Sequence, residues 1–201
     1  MSSPVTHILF DVESILAQFN AAQWLDSYWA ALSHENEKVN LVSRETTIGD
    51  FKRMVAESLL PFTQFRPKPG DYIDVGSGGG IPAVPLLRAG LAVNQAALYE
   101  RTKKKALALE RIVSTLGISG VSVIPESFGE HPVKVQCTLV TMSWVALNRQ
   151  LLNAIDSVLA PGGTFVYYSR TPLAVTGLSI REFSYSQPTG DIHKYFSLIG
   201  K

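Results

Sequence analysis

Asp74-Val75-Gly76-Ser77-Gly78-Gly79-Gly80 is the part of this 201-residue chain that indicates its architecture most clearly. The residues from Asp71 to Val75 predict a short strand, and a helix is predicted from about Pro82 to Ala89. Glycines between a strand and a helix allow a tight turn and a close approach of the backbone to a ligand. The stretch therefore predicts a binding loop at the carboxyl end of a strand, where open α/β sheets hold their ligands.

Strands and helices alternate after this loop. Two further helices are predicted, 103–116 and 149–159, and the further predicted strands are 96–99, 121–124, 137–142, 164–169, 181–186 and 195–199. Such alternation is typical of right-handed βαβ units and a mainly parallel sheet. Because no helix is evident between the last two strands, we expect an α/β fold with seven strands and an antiparallel C-terminal edge.

The part of the chain before the loop has a different pattern. Apolar residues recur at helical spacing from Trp24 to Leu32 and from Ile48 to Leu59. The stretch Arg66-Pro67-Lys68-Pro69-Gly70 is rich in turn-forming residues and predicts a linker. We therefore expect a helical N-terminal cap over residues 1–65 and a ligand-binding domain over residues 66–201.

The composition excludes several classes of protein. Eighteen Lys and Arg against seventeen Asp and Glu give a net charge of +1, and 46% of the residues are hydrophobic. This balance argues against disorder and against binding nucleic acid by bulk charge. A single cysteine, Cys137, excludes an internal disulfide framework. With no long apolar span and no signal-like N-terminus, we expect a cytoplasmic protein that does not contact membranes.

Two further features strengthen the glycine loop as a binding motif. Glu100 ends the second predicted strand of the binding domain, where a carboxylate can accept both hydroxyls of a ribose. Leu159-Ala160-Pro161-Gly162-Gly163 precedes a later strand. Together with the loop, these features resemble the class I methyltransferases, which have a Rossmann-like fold and use S-adenosyl-L-methionine. A nicotinamide-dependent Rossmann oxidoreductase is the alternative, since the loop also admits a Gly-x-Gly-x-x-Ala spacing that ends at Ala83.

The sequence resembles one methyltransferase family more closely, the RsmG (GidB) family. The resemblance covers roughly residues 20 to 170, and its motifs are Asn40-Leu41-Val42-Ser43, Gly76-Ser77-Gly78-Gly79-Gly80-Ile81-Pro82 and Leu98-Tyr99-Glu100 followed by Lys103-Lys104-Lys105-Ala106. The resemblance implies methylation of N7 of a guanine in small-subunit ribosomal RNA, with that RNA or the small ribosomal subunit as partner.

The resemblance also implies a set of residues around S-adenosyl-L-methionine. We expect the cofactor-binding residues to be Asp74, Gly76, Ser77, Gly78, Gly80, Glu100, Ser127, Phe128 and Met142. No catalytic general base is expected, because guanine N7 carries a lone pair and no proton, so positioning supplies the catalysis. The histidines His7, His34, His131 and His193 lack ligand spacing, and no metal site is expected.

The chain departs from the family at several cationic positions. Ala56, Ser143 and Tyr168 stand where the family has basic residues on its second helix and after two of its strands. Because Arg and Lys contact phosphates in RNA complexes, these departures leave another RNA or a small molecule open as the substrate. A binding module that has lost catalysis is also open.

Two features beside the predicted site have open roles. Trp144 follows the fourth predicted strand of the binding domain, and we slightly favour core packing for it over stacking on a substrate base. Arg101, Lys103, Lys104, Lys105 and Arg111 form the densest basic cluster. A solvated helix face is the favoured interpretation of this cluster, and contact with an RNA backbone is the alternative.

Overall fold

The computed structural model describes residues 4–92, 94–173, 179–186 and 194–201. The strands are β1 (Val5–Leu9), β2 (Tyr72–Val75), β3 (Ala96–Tyr99), β4 (Val121–Ile124), β5 (Cys137–Ser143), β6 (Leu159–Ser169), β7 (Ser179–Ser186) and β8 (Lys194–Gly200). The α-helices are α1 (Val12–Gln18), α2 (Leu25–Asn36), α3 (Ile48–Leu59), α4 (Ala83–Arg88), α5 (Lys103–Thr115) and α6 (Arg149–Val158).

All eight strands form one sheet in the order β1-β7-β8-β6-β5-β2-β3-β4. The strands from β2 to β6 pair in parallel, and β8 is antiparallel to both β6 and β7. The α/β class and the seven predicted strands are confirmed, and β1 adds an eighth strand within the described residues.

The predicted antiparallel C-terminal edge is wrong in one respect. The antiparallel strand β8 lies inside the sheet, and the edge is formed by β1, which pairs in parallel with β7 from Val5↔Glu182 to Leu9↔Ser186. β1 has no buried face, since four of its five residues are exposed, and its sequence shows no apolar–polar alternation. An edge strand without a buried face gives no period-2 signal, so the sequence did not reveal it.

The sheet has its topological switch point at β2. The chain runs from β2 to β3 and β4 on one side, and then returns to β5 on the other side of β2. Ligands of open α/β sheets bind at the carboxyl ends of strands at such a point. The glycine loop follows β2 directly, so the fold places it at the switch point.

Both faces of the sheet are buried, which explains why its central strands are almost wholly apolar. Alternate residues of a strand enter different cores: Tyr72 and Leu139 pack on the side of α2 and α3, whereas Ile73 and Val140 pack on the side of α6. The site at the carboxyl ends of these strands therefore rests on two packed layers.

The N-terminal helices cover one face of the sheet. A capping box starts α3: the Thr47 hydroxyl accepts from the Asp50 N–H, and the Asp50 carboxylate accepts from the Thr47 N–H, both at 3.1 Å. Phe51 and Val55 of α3 share a core with Tyr72 of β2. The division into two domains at residue 65 stays a prediction.

Candidate active site

The glycine loop is fixed to the end of β3 by backbone hydrogen bonds. The N–H groups of Gly76 and Ser77 both donate to the Tyr99 carbonyl at 2.9 Å. Gly78 has a φ of +53°, and a Cβ atom added there would meet nothing within 4 Å. The loop thus presents backbone, without side chains, to the space in front of it.

Gly80 allows close packing under the loop and does not face the open space in front of it. Its φ is +93°, and an added Cβ atom would lie 2.6 Å from Val84 Cγ2 and 3.0 Å from Leu109 Cδ1. Below the loop, the Tyr28 hydroxyl of α2 donates to the Gly79 carbonyl at 3.0 Å. Helix α2 therefore holds the loop from behind, and Gly80 allows this close approach.

Asp74 lies fully buried beneath the loop. The Thr141 hydroxyl donates to its Oδ1 atom at 2.5 Å, and the Tyr72 hydroxyl lies 2.6 Å from Thr141 Oγ1. Its Oδ2 atom has no hydrogen-bond partner in the described part of the chain. Burial raises the pKa of Asp74 to about 6, although the hydrogen bond from Thr141 opposes the shift.

Glu100 connects the end of β3 to the loop. Its side chain accepts from the Gly78 N–H at 3.1 Å through Oε2 and from the Thr102 N–H at 2.7 Å through Oε1. The residue is 7% exposed. The carboxylate is therefore held in one orientation, and each oxygen keeps a lone pair for a further donor.

A cavity of about 920 Å³ opens in front of these groups, at the carboxyl ends of β2 to β5. We call it the loop cavity. Of the nine residues predicted to bind the cofactor, six line it: Gly76, Ser77, Gly78, Glu100, Ser127 and Phe128. The structure thus brings the residues after three separate strands to one space, as parallel strands do.

Three of the predicted cofactor-binding residues do not line the loop cavity. Asp74 and Gly80 lie under the loop as described, and Met142 is fully buried in the core below β5. Met142 precedes the strand's last residue, and side chains alternate along a strand, so Ser143 lines the cavity instead. Direct contact of these three side chains with a cofactor stays a prediction without support from this geometry.

The aromatic pair Tyr99 and Phe128 closes one end of the loop cavity. The two rings meet edge to face with centroids 5.0 Å apart. Both residues are largely buried, and both line the cavity. Apolar ring surface beside the Glu100 carboxylate suits a flat heterocycle.

A second cavity of about 540 Å³ adjoins the loop cavity, and we call it the side cavity. The two cavities share the lining residues Leu41, Val42, Met54, Ile81, Ser143, Trp144, Val145 and Ala146. Leu41 and Val42 belong to the Asn40–Ser43 motif, and the Asn36 side chain holds them by accepting from both N–H groups. A ligand in the loop cavity can therefore contact a ligand in the side cavity.

Trp144 stands at the border between the two cavities. The slight preference for core packing is wrong, since the residue is 64% exposed. Its φ of +60° is rare for a bulky residue and turns the chain at the end of β5. The Arg170 guanidinium lies 4.8 Å from the centre of the indole ring.

Cations reach the side cavity from positions that the sequence did not indicate. Ser143 and Tyr168, two departures from the family pattern, line this cavity, and Tyr168 donates its hydroxyl to the Ser58 carbonyl at 2.6 Å. Arg170 and Lys194 also line it. Arg170 follows β6, so its place could have been inferred, but Lys194 is far along the chain and only the sheet pairing places it here.

The basic cluster after β3 is divided by the fold. Arg101 and Lys105 line the loop cavity, whereas Lys103 and Lys104 are exposed. Arg111 donates to the buried Glu35 carboxylate at 3.0 Å and so joins α5 to α2. Contact with an RNA backbone stays an open role for this cluster.

The described ranges show neither a metal-binding cluster nor a membrane-spanning helix. In these ranges, no three His, Cys, Asp or Glu side chains come together in a group that could hold a metal ion. His193 lies outside the described residues. No described helix combines the length and the apolar character needed to span a membrane.

Comparison with known sequences identifies one family. The family model described as rRNA small subunit methyltransferase G (GidB) matches residues 21–173. The chain is 33% identical to the protein of that name from Rhodopseudomonas palustris over 144 residues, which are 70% of this chain and 63% of the relative. It is 30% identical to that from Nitratidesulfovibrio vulgaris over 156 residues, which are 73% of this chain and 69% of the relative.

Comparison with solved structures identifies the fold. A 16S rRNA N2 methyltransferase from T. thermophilus, in complex with AdoMet and guanosine, matches with a TM-score of 0.56 at 14% identity, over 74% of this chain and 43% of that chain. A precorrin-6y C5,15-methyltransferase from Geobacter metallireducens matches with a TM-score of 0.53 at 13% identity, over 80% and 93%. At these identities the likeness concerns the fold, a Rossmann-like methyltransferase sheet.

Proposed function

Because the chain belongs to the rRNA small subunit methyltransferase G (GidB) family, we propose that it transfers a methyl group from S-adenosyl-L-methionine to N7 of a guanine in small-subunit ribosomal RNA. The observation that carries the proposal is the pair of adjoining cavities at the switch point, one lined by the glycine loop and Glu100. Since ribosomal RNA would be its substrate, we also propose that the protein acts in the cytoplasm.

The residues around the loop cavity fit S-adenosyl-L-methionine. The open space at Gly78 lets backbone approach the methionine part, and the lone pairs left on Glu100 can accept the two ribose hydroxyls. Phe128 and Ser127 lie after β4, where they would border the adenine. We assign the buried Asp74 a positioning role under the loop rather than a contact with the ammonium group.

The chemistry proposed for the site needs alignment above all. When bound, S-adenosyl-L-methionine supplies a sulfonium methyl group: the N7–C bond forms from the lone pair of N7 as the C–S bond breaks, and its electron pair stays on sulfur. Since N7 loses no proton, we assign no residue as a general base. The shared wall from Ser143 to Ala146 keeps the acceptor base against the donor, and such positioning supplies the rate enhancement.

The proposal is tested by labelled methyl transfer. Purified protein is incubated with labelled S-adenosyl-L-methionine and with small ribosomal subunits, naked small-subunit rRNA or large-subunit rRNA from cells that lack the gene. We expect label in 7-methylguanosine from the small subunit or its RNA alone. Label in large-subunit rRNA would redirect the proposal to another RNA, and label in another nucleoside would contradict methylation of guanine N7.

Two other functions give different results in the same assay. A binding module without catalysis would bind the methyl donor in calorimetry and transfer no label. A nicotinamide-dependent enzyme would bind a nicotinamide dinucleotide and not S-adenosyl-L-methionine. Family membership favours the methyl donor, and a calorimetric titration with both compounds separates these cases.

A further inference from the structure

The side cavity contains an arrangement that the cofactor does not explain. Trp144 exposes 64% of its surface at the border with the loop cavity, in a backbone conformation that L-residues other than Asn and Asp seldom adopt. An exposed indole costs hydration free energy unless a partner covers it. Its place is therefore better explained by a flat group that stacks on it than by packing within the chain.

Two cations accompany the indole. The Arg170 guanidinium lies 4.8 Å and the Lys194 ammonium 6.0 Å from the ring centre. Glu57, nearly buried in α3, accepts from Lys194 at 2.6 Å and fixes its position, whereas Arg170 forms no ion pair with any described residue. A guanidinium without an ion pair among the described residues thus lies over one face of the indole and leaves the other face for a base, as recognition of a nucleotide by its base and its phosphate requires.

We propose that Trp144, Arg170 and Lys194 form the site for the acceptor nucleotide: the indole stacks on the purine base, and the two cations contact its flanking phosphates. This inference rests on the proposed function and names the substrate-binding residues for it. Arg170 and Lys194 supply the positive charge that is missing at Ala56, Ser143 and Tyr168. Lys194 lies beyond residues 21–173, the range matched by the family model.

The geometry also explains why stacking at Trp144 would serve transfer. Val145 follows Trp144 and lies above the glycine loop, since a Cβ atom added to Gly76 would be 2.5 Å from Val145 Cγ2. A base stacked on the indole would therefore lie next to Val145, the residue that contacts the glycine loop. The same segment, Ser143–Ala146, would bind the acceptor and face the donor.

The test measures RNA binding and methyl transfer for matched variants. A labelled single-stranded RNA that carries the acceptor guanine is titrated with protein by fluorescence anisotropy at several salt concentrations. Trp144→Ala should weaken binding and raise the KM for RNA about tenfold, the order expected for one lost base–aromatic stack, while Trp144→Phe should retain most of the affinity. Leu107→Ala, which truncates another exposed apolar side chain outside both cavities, should behave as the wild type does.

The cations are tested by the salt dependence of binding. Arg170→Gln should lower the slope of log Kd against log salt concentration by about 0.7, the value for one phosphate contact on a single strand. Arg181→Gln removes an exposed cation of β7 that lines neither cavity and should leave the slope unchanged. Affinity for S-adenosyl-L-methionine should stay the same in every variant.

The outcomes separate this inference from the proposed function. Methyl transfer by the wild type, with an unchanged KM and RNA affinity in Trp144→Ala, would overturn the acceptor site and leave the function standing. RNA affinity that depends on Trp144 without any methyl transfer would overturn the function and support the RNA site. Circular dichroism of each variant establishes that the fold is intact.

Discussion

The loop cavity and the side cavity lie next to each other but are built in different ways. The loop cavity is formed mainly by one continuous glycine loop and by residues that follow β3, β4 and β5, and Leu41, Val42 and Met54 of the N-terminal part complete its wall. The side cavity collects side chains from α3, from the ends of β5 and β6, and from β7 and β8. Under the proposed function, donor binding would thus depend mainly on local sequence and acceptor binding on the whole fold, so the acceptor side can change while the donor side is retained.

The largest expected effect concerns the packing under the loop. Gly80→Ala places a methyl group 2.6 Å from Val84 Cγ2 at a φ of +93°, so we expect a loss of about 3 kcal/mol in the free energy of unfolding. Gly78→Ala has the same kind of strain but open space around the added methyl group, and about 1 kcal/mol is expected. Urea denaturation measures both, and equal losses would contradict the packing role of Gly80.

The second prediction concerns the buried carboxyl under the loop. The pKa of Asp74 is about 6 in the folded chain against an ordinary value of 3.8, so the folded state binds more protons than the unfolded state between these values. The stability that this proton supplies is present below about pH 4 and is lost as the pH rises through about 6.

The variant Asp74→Asn cannot undergo this loss. Between about pH 4 and pH 7, the stability of the variant relative to the wild type should therefore rise by about 2 to 3 kcal/mol, the equivalent of a two-unit pKa difference. Urea denaturation of both proteins across this range measures the change. A difference that does not vary with pH would show that Asp74 is ionised in the folded chain without a penalty.

The third prediction separates the two cavities by their ligands. Glu100→Gln weakens the charge-assisted hydrogen bond to the Gly78 N–H and one ribose contact, so we expect about a tenfold rise in the Kd for S-adenosyl-L-methionine in calorimetry. RNA affinity should not change. Glu110→Gln, on the exposed face of α5, is the matched control, and an unchanged Kd for Glu100→Gln would contradict the assigned role.

The smallest expected effect concerns the wall of the side cavity. Tyr168→Phe removes the hydrogen bond to the Ser58 carbonyl and leaves that acceptor without its donor, which should cost about 1 kcal/mol of stability. The KM for RNA should rise, and the Kd for S-adenosyl-L-methionine should stay the same. An effect on the donor alone would mean that the side cavity is not a separate acceptor site.

The sequence predicted the loop cavity well because its parts are close to one another along the chain. Gly76, Gly78 and Glu100 each follow directly from a strand end, so a pattern of strands and glycines was enough to locate them. Side-chain direction is what the pattern leaves open: Met142 and Ser143 are neighbours on one strand and point to opposite faces, and the strand's exact end decides which one lines the cavity.

The side cavity could not be predicted in the same way. Lys194 reaches it only because β8 inserts antiparallel between β6 and β7, a pairing that no local pattern specifies. The edge strand β1 was missed for a related reason, since exposed residues carry no periodic signal. Long-range pairing, which the sequence does not display, decides both features.

The most direct test of the account is the nucleoside composition of small-subunit rRNA from cells with and without the gene, measured by mass spectrometry and mapped to positions. We expect one 7-methylguanosine to disappear on deletion, to return with the wild-type gene, and to return only weakly with Trp144→Ala. An unchanged set of methylated nucleosides in the deletion strain would contradict the account.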